Sequence, residues 1–386
     1  MNVPQECERA LRAATSPALL DVLRPILARS HDALGADLLM ADYSLGYLQA
    51  MTVPPHGTPA LPVHGSGAGR AFGSQEPHVE RRGGNSVLHL PVTARGDRLG
   101  VLSVTFAQPP AQDAVAELLE IAVLLAHEVV VAERDTDLYV QARRLDRLTL
   151  AAEMQWQLLP ARSCLRPEFA LGAQLEPAYD TFGDNFDWSS SPDALLLSIT
   201  NGMGDGIDAA LLTSLGVGAL RNARRAGLGL ADQAALADQA LYGQHRGEQH
   251  LECLLLRFEL ATGRVEVIEA GSPLTFLLRD GAVLPLPFDA QLPLGMFDGT
   301  DYVPESFQVL PGDRLLFVSD GVHAVPGAGG ETYGERALGR ALLATRLLPA
   351  ADVPRAVLEA LTAHRGSSQG DDDALVVCLD WFGAPA

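Results

Sequence analysis

Cysteine is scarce and scattered. Cys7, Cys164, Cys253 and Cys378 form no CxxC pair and have no histidine at metal-ligand spacing. That excludes a disulfide framework and a zinc knuckle and leaves four reduced thiols serving as small apolar side chains. Positive charge is short as well: 28 Lys and Arg against 48 Asp and Glu give a formal net charge of -20, with no basic run. A phosphate backbone would be repelled, so nucleic acid is excluded as a partner. Long apolar runs are missing too. The longest, Leu118 to Ala132, is interrupted by Glu120, His127 and Glu128, short of the about 20 apolar residues that a membrane helix needs. The opening MNVPQECERALRAA has no basic region leading into an apolar one, so no signal peptide and no membrane partner is expected, and the expected location is cytoplasmic.

What is present suits a folded protein of two domains. The 386 residues are 47% hydrophobic and 20% charged, globular composition at a length that outgrows one ordinary core. Apolar residues at helical spacing from Pro4 to Leu34 predict an opening amphipathic helix, broken or kinked at Pro17 or Pro25. The Gly, Pro and His-rich stretch from Val53 to Pro77 reads as loop. Ser86–Val92 and Leu99–Phe106, separated by Arg95-Gly96-Asp97, predict a hairpin, and a second helix carries Leu118, Ile121, Leu125 and Val129 on one face. This is an α+β module of sensor size. With Gly100-Val101-Leu102-Ser103-Val104 feeding the terminal helix, it resembles a GAF domain over residues 5 to 133. The resemblance implies a small-molecule pocket or a dimer surface; a packing unit without ligand stays open beside it.

Between Asp137 and Leu159, residues Leu138, Ala142, Leu145, Thr149, Ala152, Trp156 and Leu159 recur at spacings of four and three, an a/d-type stripe that predicts one helix ended by Pro160. The stripe could pair with a second copy in a homodimer or dock on a domain, and both readings stay open. The expected division is a GAF-like regulatory domain at 1–135, a helical linker at 136–160 and a second domain at 161–386.

From residue 170 on, strands dominate, separated by turn signals such as Thr262-Gly263 and Asp280-Gly281. Asp205–Arg225 and Gly334–Leu348 carry helical spacing instead. A sheet sandwich covered by helices follows. Twice an apolar strand runs into a hydroxyl residue, then Asp or Asn, then Gly: Thr200-Asn201-Gly202 and Ser319-Asp320-Gly321. Asp371-Asp372-Asp373 precedes the last strand, and Gly183-Asp184-Asn185-Phe186-Asp187 makes a further acidic cluster. Oxygen ligands at strand ends suit hard divalent cations. Taken singly, each Asp-Gly is more often a plain turn.

The ordered set resembles the PPM-type metal-dependent phosphatases, in the bacterial branch typified by stage II sporulation protein E and sigma-factor regulators. The likeness runs from Gln155, Gln157 and Leu158-Leu159-Pro160 through Phe182-Gly183-Asp184, Asn201-Gly202-Met203-Gly204-Asp205-Gly206, Ala270-Gly271, Pro293-Leu294-Gly295 and Pro311-Gly312-Asp313 to Ser319-Asp320-Gly321-Val322. It implies an α-β-β-α sandwich and two Mn²⁺ or Mg²⁺ ions that activate a water for attack on phosphorus. By the same resemblance Asp184, Asp320 and Asp372 match metal-ligand carboxylates and Gly202 supplies a carbonyl. Asn201 stands where the family has an aspartate that bridges both metals, so an amide without charge enters the metal and catalytic set. Asp373 and Asp187 take supporting places and Asp371 faces solvent. Ser272 replaces a histidine and Leu375 a hydroxyl residue. The expected function is a protein serine/threonine phosphatase of low activity in bacterial signalling, acting on a phosphorylated anti-anti-sigma-type protein or another phosphoprotein. The alternative is an inactive pseudophosphatase that binds or senses a partner.

Overall fold

The chain divides into two units, Met1–Arg147 and Leu148–Ala386. The computed structural model describes residues 2–52, 58–176, 183–271, 273–326, 331–365 and 372–384. Phe182, Ser272 and Asp371 lie outside the described residues.

In the first unit the opening segment is two helices, α1 (Val3–Ala13) and α2 (Leu19–His31), not one. Ala14 turns extended and Pro17 sits in the short 3₁₀ turn Ser16–Ala18, while Pro25 is carried inside α2. Strands β1 (Gly35–Ala41), β2 (Tyr47–Ala50), β3 (Leu61–Pro62), β4 (His78–Arg82), β5 (Asn85–Ala94) and β6 (Asp97–Phe106) form one antiparallel sheet in the order β3-β2-β1-β6-β5-β4. Arg95 and Gly96, both at positive φ, make the β5–β6 turn, as an Arg-Gly pair at a two-residue hairpin requires. Part of the expected loop is ordered: Ser66 caps α3 (Gly67–Ser74) by accepting from Gly69 N. Leu38, Met40, Leu88, Leu90 and Leu102 face α1, α2, α4 (Gln112–Ala132) and α5 (Leu138–Ala142), while Leu39, Ala41 and Val101 face α3.

The expected single helix from Asp137 to Leu159 is not formed. The stripe is shared between two helices, α5 and α6 (Leu150–Leu158), with no helix between them. Thr149, read as a seam residue, instead caps α6 by accepting from Ala152 N, so a new helix starts there. Tyr139 and Ala142 join the first unit's core, while Ala151, Ala152 and Gln155 are buried in the second unit.

After α6 come β7 (Ser163–Leu165), β8 (Phe169–Glu176), β9 (Asp184–Ser190), β10 (Ala194–Gly202), α7 (Gly206–Arg225), α8 (Leu230–His245), β11 (Leu251–Glu259), β12 (Arg264–Ala270), β13 (Leu274–Arg279), β14 (Ala282–Pro285), β15 (Glu305–Gln308), β16 (Arg314–Val318), α9 (Asp320–His323), α10 (Gly339–Ala344), α11 (Val353–Arg365) and β17 (Ala374–Trp381). Two antiparallel sheets result, β15-β12-β11-β10-β9 and β14-β13-β16-β17-β8-β7. Leu195, Leu197 and Ile199 of β10 meet Leu315, Phe317, Leu375 and Val377 of β16 and β17 between the sheets. Alternate residues turn outward to a second apolar layer: Leu316, Val318 and Val376 lie under α10 and α11, and Leu251, Cys253 and Leu255 lie under α7 and α8. Strands covered on both faces read as continuous apolar runs, which is why 194–197 and 315–318 look uniformly hydrophobic. All four cysteines are buried and free. Among the described residues, no helix is long and apolar enough to cross a membrane.

Candidate functional site

Of the residues singled out in the sequence, Asp184, Asn201, Asp320, Asp372 and Asp373 come together at one edge of the sandwich, where strands of the two sheets end, while Asp187 turns toward α7. Asp184 opens β9 and pairs with Asn201 at the end of β10. Asp320 follows β16 and opens α9, while Asp372 and Asp373 lead into β17, the neighbour of β16. Two ties cross from sheet to sheet. Asp373 Oδ2 accepts from the backbone N–H groups of Gly183 (2.9 Å) and Asp184 (3.1 Å). Asn201 Nδ2 donates to Asp320 Oδ1 at 2.9 Å.

The backbone is tightly fixed around Asp184. The Gly183 carbonyl accepts from the Thr213 hydroxyl at 2.9 Å and from Gly202 N at 3.2 Å. Gly183 has φ +128°, and a Cβ there would stand 2.5 Å from the Gly202 carbonyl oxygen, so only glycine fits. Gln155 of α6 donates to the Asp184 carbonyl. Ser319 accepts from Leu375 N and returns a bond to the Leu375 carbonyl, locking β16 to β17. The Leu375 side chain itself lies in the inter-sheet core.

Electrostatics single out Asp184. Only 2% of it is exposed, and among the described residues its Oδ2 has no hydrogen-bond donor. Burial, and then the charges of Asp373, Asp320 and Asp372, hold its carboxyl well above the usual range, with the Ser319 hydroxyl pulling the other way. Burial and Asp320 also raise Asp372, opposed by the Asp373 N–H and by Arg365. Arg365, at the end of α11, donates to the Gly321 carbonyl at 2.7 Å.

These acids are neighbours and not an assembled metal cluster: among the described residues, no three His, Cys, Asp or Glu side chains form a group that could hold an ion. The hydrogen bonds explain why. Asp320 Oδ1 is engaged by Asn201 and by Gly321 N, Asp372 Oδ1 by Asp373 N, and Asp373 Oδ2 by two amides. The donor chemistry nonetheless suits a hard cation at the carboxylates, because a buried carboxylate oxygen without a donor among three further acids calls for positive charge. It does not suit a second, bridging ion at Asn201, which turns an N–H toward Asp320.

Asp373 and Asp187 had supporting places in the sequence reading, but their contacts, and Arg221 and Arg224, escaped it. Asp373, given a supporting place, is the most buried of the acids at 1% exposure; its position directly before β17 was the available signal. Asp187 is gripped by Arg221 and Arg224 of α7, each at 2.7 Å, and Arg221 also donates to the Leu158 carbonyl at the end of α6. Nothing in the sequence linked those arginines to β9.

Four layers with an acidic edge between two antiparallel sheets define the fold of the metal-dependent, PP2C-type phosphatases, and solved structures agree. The SiaA PP2C domain of Pseudomonas aeruginosa matches at 20% identity and TM-score 0.51, over 60% of this chain and 94% of that one. The PP2C phosphatase domain of SpoIIE from Bacillus subtilis, with a fragment of its regulatory domain, matches at 16% identity and TM-score 0.51, over 81% and 83%. The RsbU and RsbW domains of Rv1364c from Mycobacterium tuberculosis match at 22% identity and TM-score 0.51 over 57% of this chain; the matched part spans 62% of that structure. At such identities the likeness is one of fold. Residues 191–382, just under half of the chain, match the family model of stage II sporulation protein E (SpoIIE), so the C-terminal unit is similar to that family in sequence and shares the PP2C-type fold. No curated protein matches significantly.

Proposed function

We propose that the protein is a signalling phosphoprotein phosphatase of low activity, with the C-terminal unit as the catalytic part and residues 1–135 as a GAF-like regulatory domain joined through 136–160. The observation that carries this is Asp184, a buried carboxylate set among three other acids, one oxygen of which has no donor among the described residues. Asp184, Asp320 and Asp372 would hold the cation, Mn²⁺ or Mg²⁺, which when bound supplies an activated water and charge for the phosphoryl oxygens. The chain's own residues position those ligands. Asp373, Thr213, Gly202 and Gln155 fix the Gly183–Asp184 backbone, Asn201 orients Asp320, and Arg365 moderates the field at Asp372.

The proposed substrate is a phosphorylated anti-anti-sigma-type protein. Its support is the kind of protein named in the fold matches, SpoIIE and RsbU. A ligand of the GAF-like domain and a homodimer through residues 136–160 remain part of the proposal, as does a cytoplasmic location. Purified protein should hydrolyse p-nitrophenyl phosphate in millimolar Mn²⁺, and Asp184→Asn should not. A silent native protein beside an active Asn201→Asp variant would remove the enzyme reading.

One observation favours a second reading, a pseudophosphatase that binds a partner without turnover: the Asn201 amide brings no negative charge and occupies Asp320. Calorimetric titration separates the two, since tight Mn²⁺ binding that Asp184→Asn abolishes supports the enzyme, and weak or absent binding supports the binding module.

A further inference from the structure

The ends of β10 and β16 belong to different sheets, and the Asn201–Asp320 hydrogen bond spans them. Only an amide, or another donor, can make this bond. A carboxylate at position 201 would bring a further negative charge against Asp320, with Asp184 directly across on β9 and Asp372 in the same field. Such an edge would hold together only with a cation among its acids. With the amide, attraction replaces repulsion at that point. The other crossing tie, Asp373 to the Gly183 and Asp184 amides, likewise needs no ion.

We propose that the Asn201–Asp320 hydrogen bond takes the place of a bridging cation in tying the two sheets together at this edge, so that the tie holds in the metal-free protein. This rests on the reading of the edge as a phosphatase centre lacking one carboxylate, and it makes Asn201 a positioning residue. Divalent ions then add little to the stability of the native protein, and replacing the amide by a carboxylate creates a metal requirement.

The test is thermal unfolding of the full chain in EDTA and in millimolar Mn²⁺, for the native protein, Asn201→Asp and Asn201→Ala. In EDTA, Asn201→Asp should melt about 3–6 °C below native, and Mn²⁺ should restore most of that loss while moving native by less than half as much. Asn201→Ala should also melt lower, with no restoration by Mn²⁺, because it loses the bond without gaining a ligand. If Asn201→Asp folds only with Mn²⁺ and unfolds on chelation, the proposal is equally supported. Native and Asn201→Asp melting together in EDTA would overturn it, and so would native gaining as much from Mn²⁺ as the variant. Turnover of p-nitrophenyl phosphate on the same samples separately decides between the two functional readings, so failure of either conclusion is distinguishable from failure of the other.

Discussion

Asp184 and Asp187 lie three residues apart on one strand and are almost equally buried, at 2% and 3% exposure, yet they live in opposite fields. Asp187 faces α7 and has a guanidinium on each carboxylate oxygen. Asp184 faces the edge where three other carboxylates gather, and one of its oxygens has no donor among the described residues. A buried charge with partners belongs to the architecture. A buried carboxyl surrounded by like charges is costly to the fold, and that cost is a mark of function.

The contrast can be broken most forcefully at Asp187. Replacing it by Ala leaves two arginines without their counter-charge and should cost about 3–5 kcal/mol, read from urea unfolding. Asp184→Asn in metal-free protein should cost far less or stabilise; equal losses at the two sites would erase the distinction. Activity should respond in the opposite order. Asn201→Asp should raise Mn²⁺-dependent turnover by at least on the order of 10-fold, the scale on which even indirect ligand partners act.

A smaller effect is expected at Thr213, whose hydroxyl supports the Gly183 carbonyl. Thr213→Val should lose about 1 kcal/mol and lower turnover through displacement of Asp184; unchanged turnover at normal stability would show that this support is dispensable. The smallest signal is in pH. Asp184 is held above its ordinary value, so the folded state keeps a proton that the unfolded chain has released. Its contribution is full below about pH 4, the unfolded value, and is lost as pH rises through the folded value. In EDTA, native stability minus that of Asp184→Asn should therefore fall as pH rises above about 4; a difference that grows with pH would reverse the assignment.

Continuous apolar runs and paired turns made the sandwich legible, because sheets covered on both faces leave long apolar stretches, two of which lead into Asp or Asn followed by Gly. Helix breaks were less so. Thr149 fitted a heptad stripe by size, and its role as a cap depends on where each half of the stripe finds a core. Ser66 capping α3 was hidden in a glycine-rich stretch for the same reason. At the site, Asp184, Asn201, Asp320 and Asp372 announced themselves by motif. Their connections did not: Gln155 to the Asp184 carbonyl, Arg221 to Asp187 and Asn201 to Asp320 link residues tens of positions or more apart. Charge and spacing along a chain carry no information about such pairings until the sheets are stacked.

If this edge is a phosphatase centre weakened at one ligand, the rate of phosphopeptide hydrolysis in millimolar Mn²⁺ by the native protein and Asn201→Asp side by side, with Asp184→Asn as control, will show it. Slow native turnover, a faster Asn201→Asp and a silent Asp184→Asn are expected. Hydrolysis that survives Asp184→Asn, or a native rate that Asn201→Asp lowers, would contradict that reading.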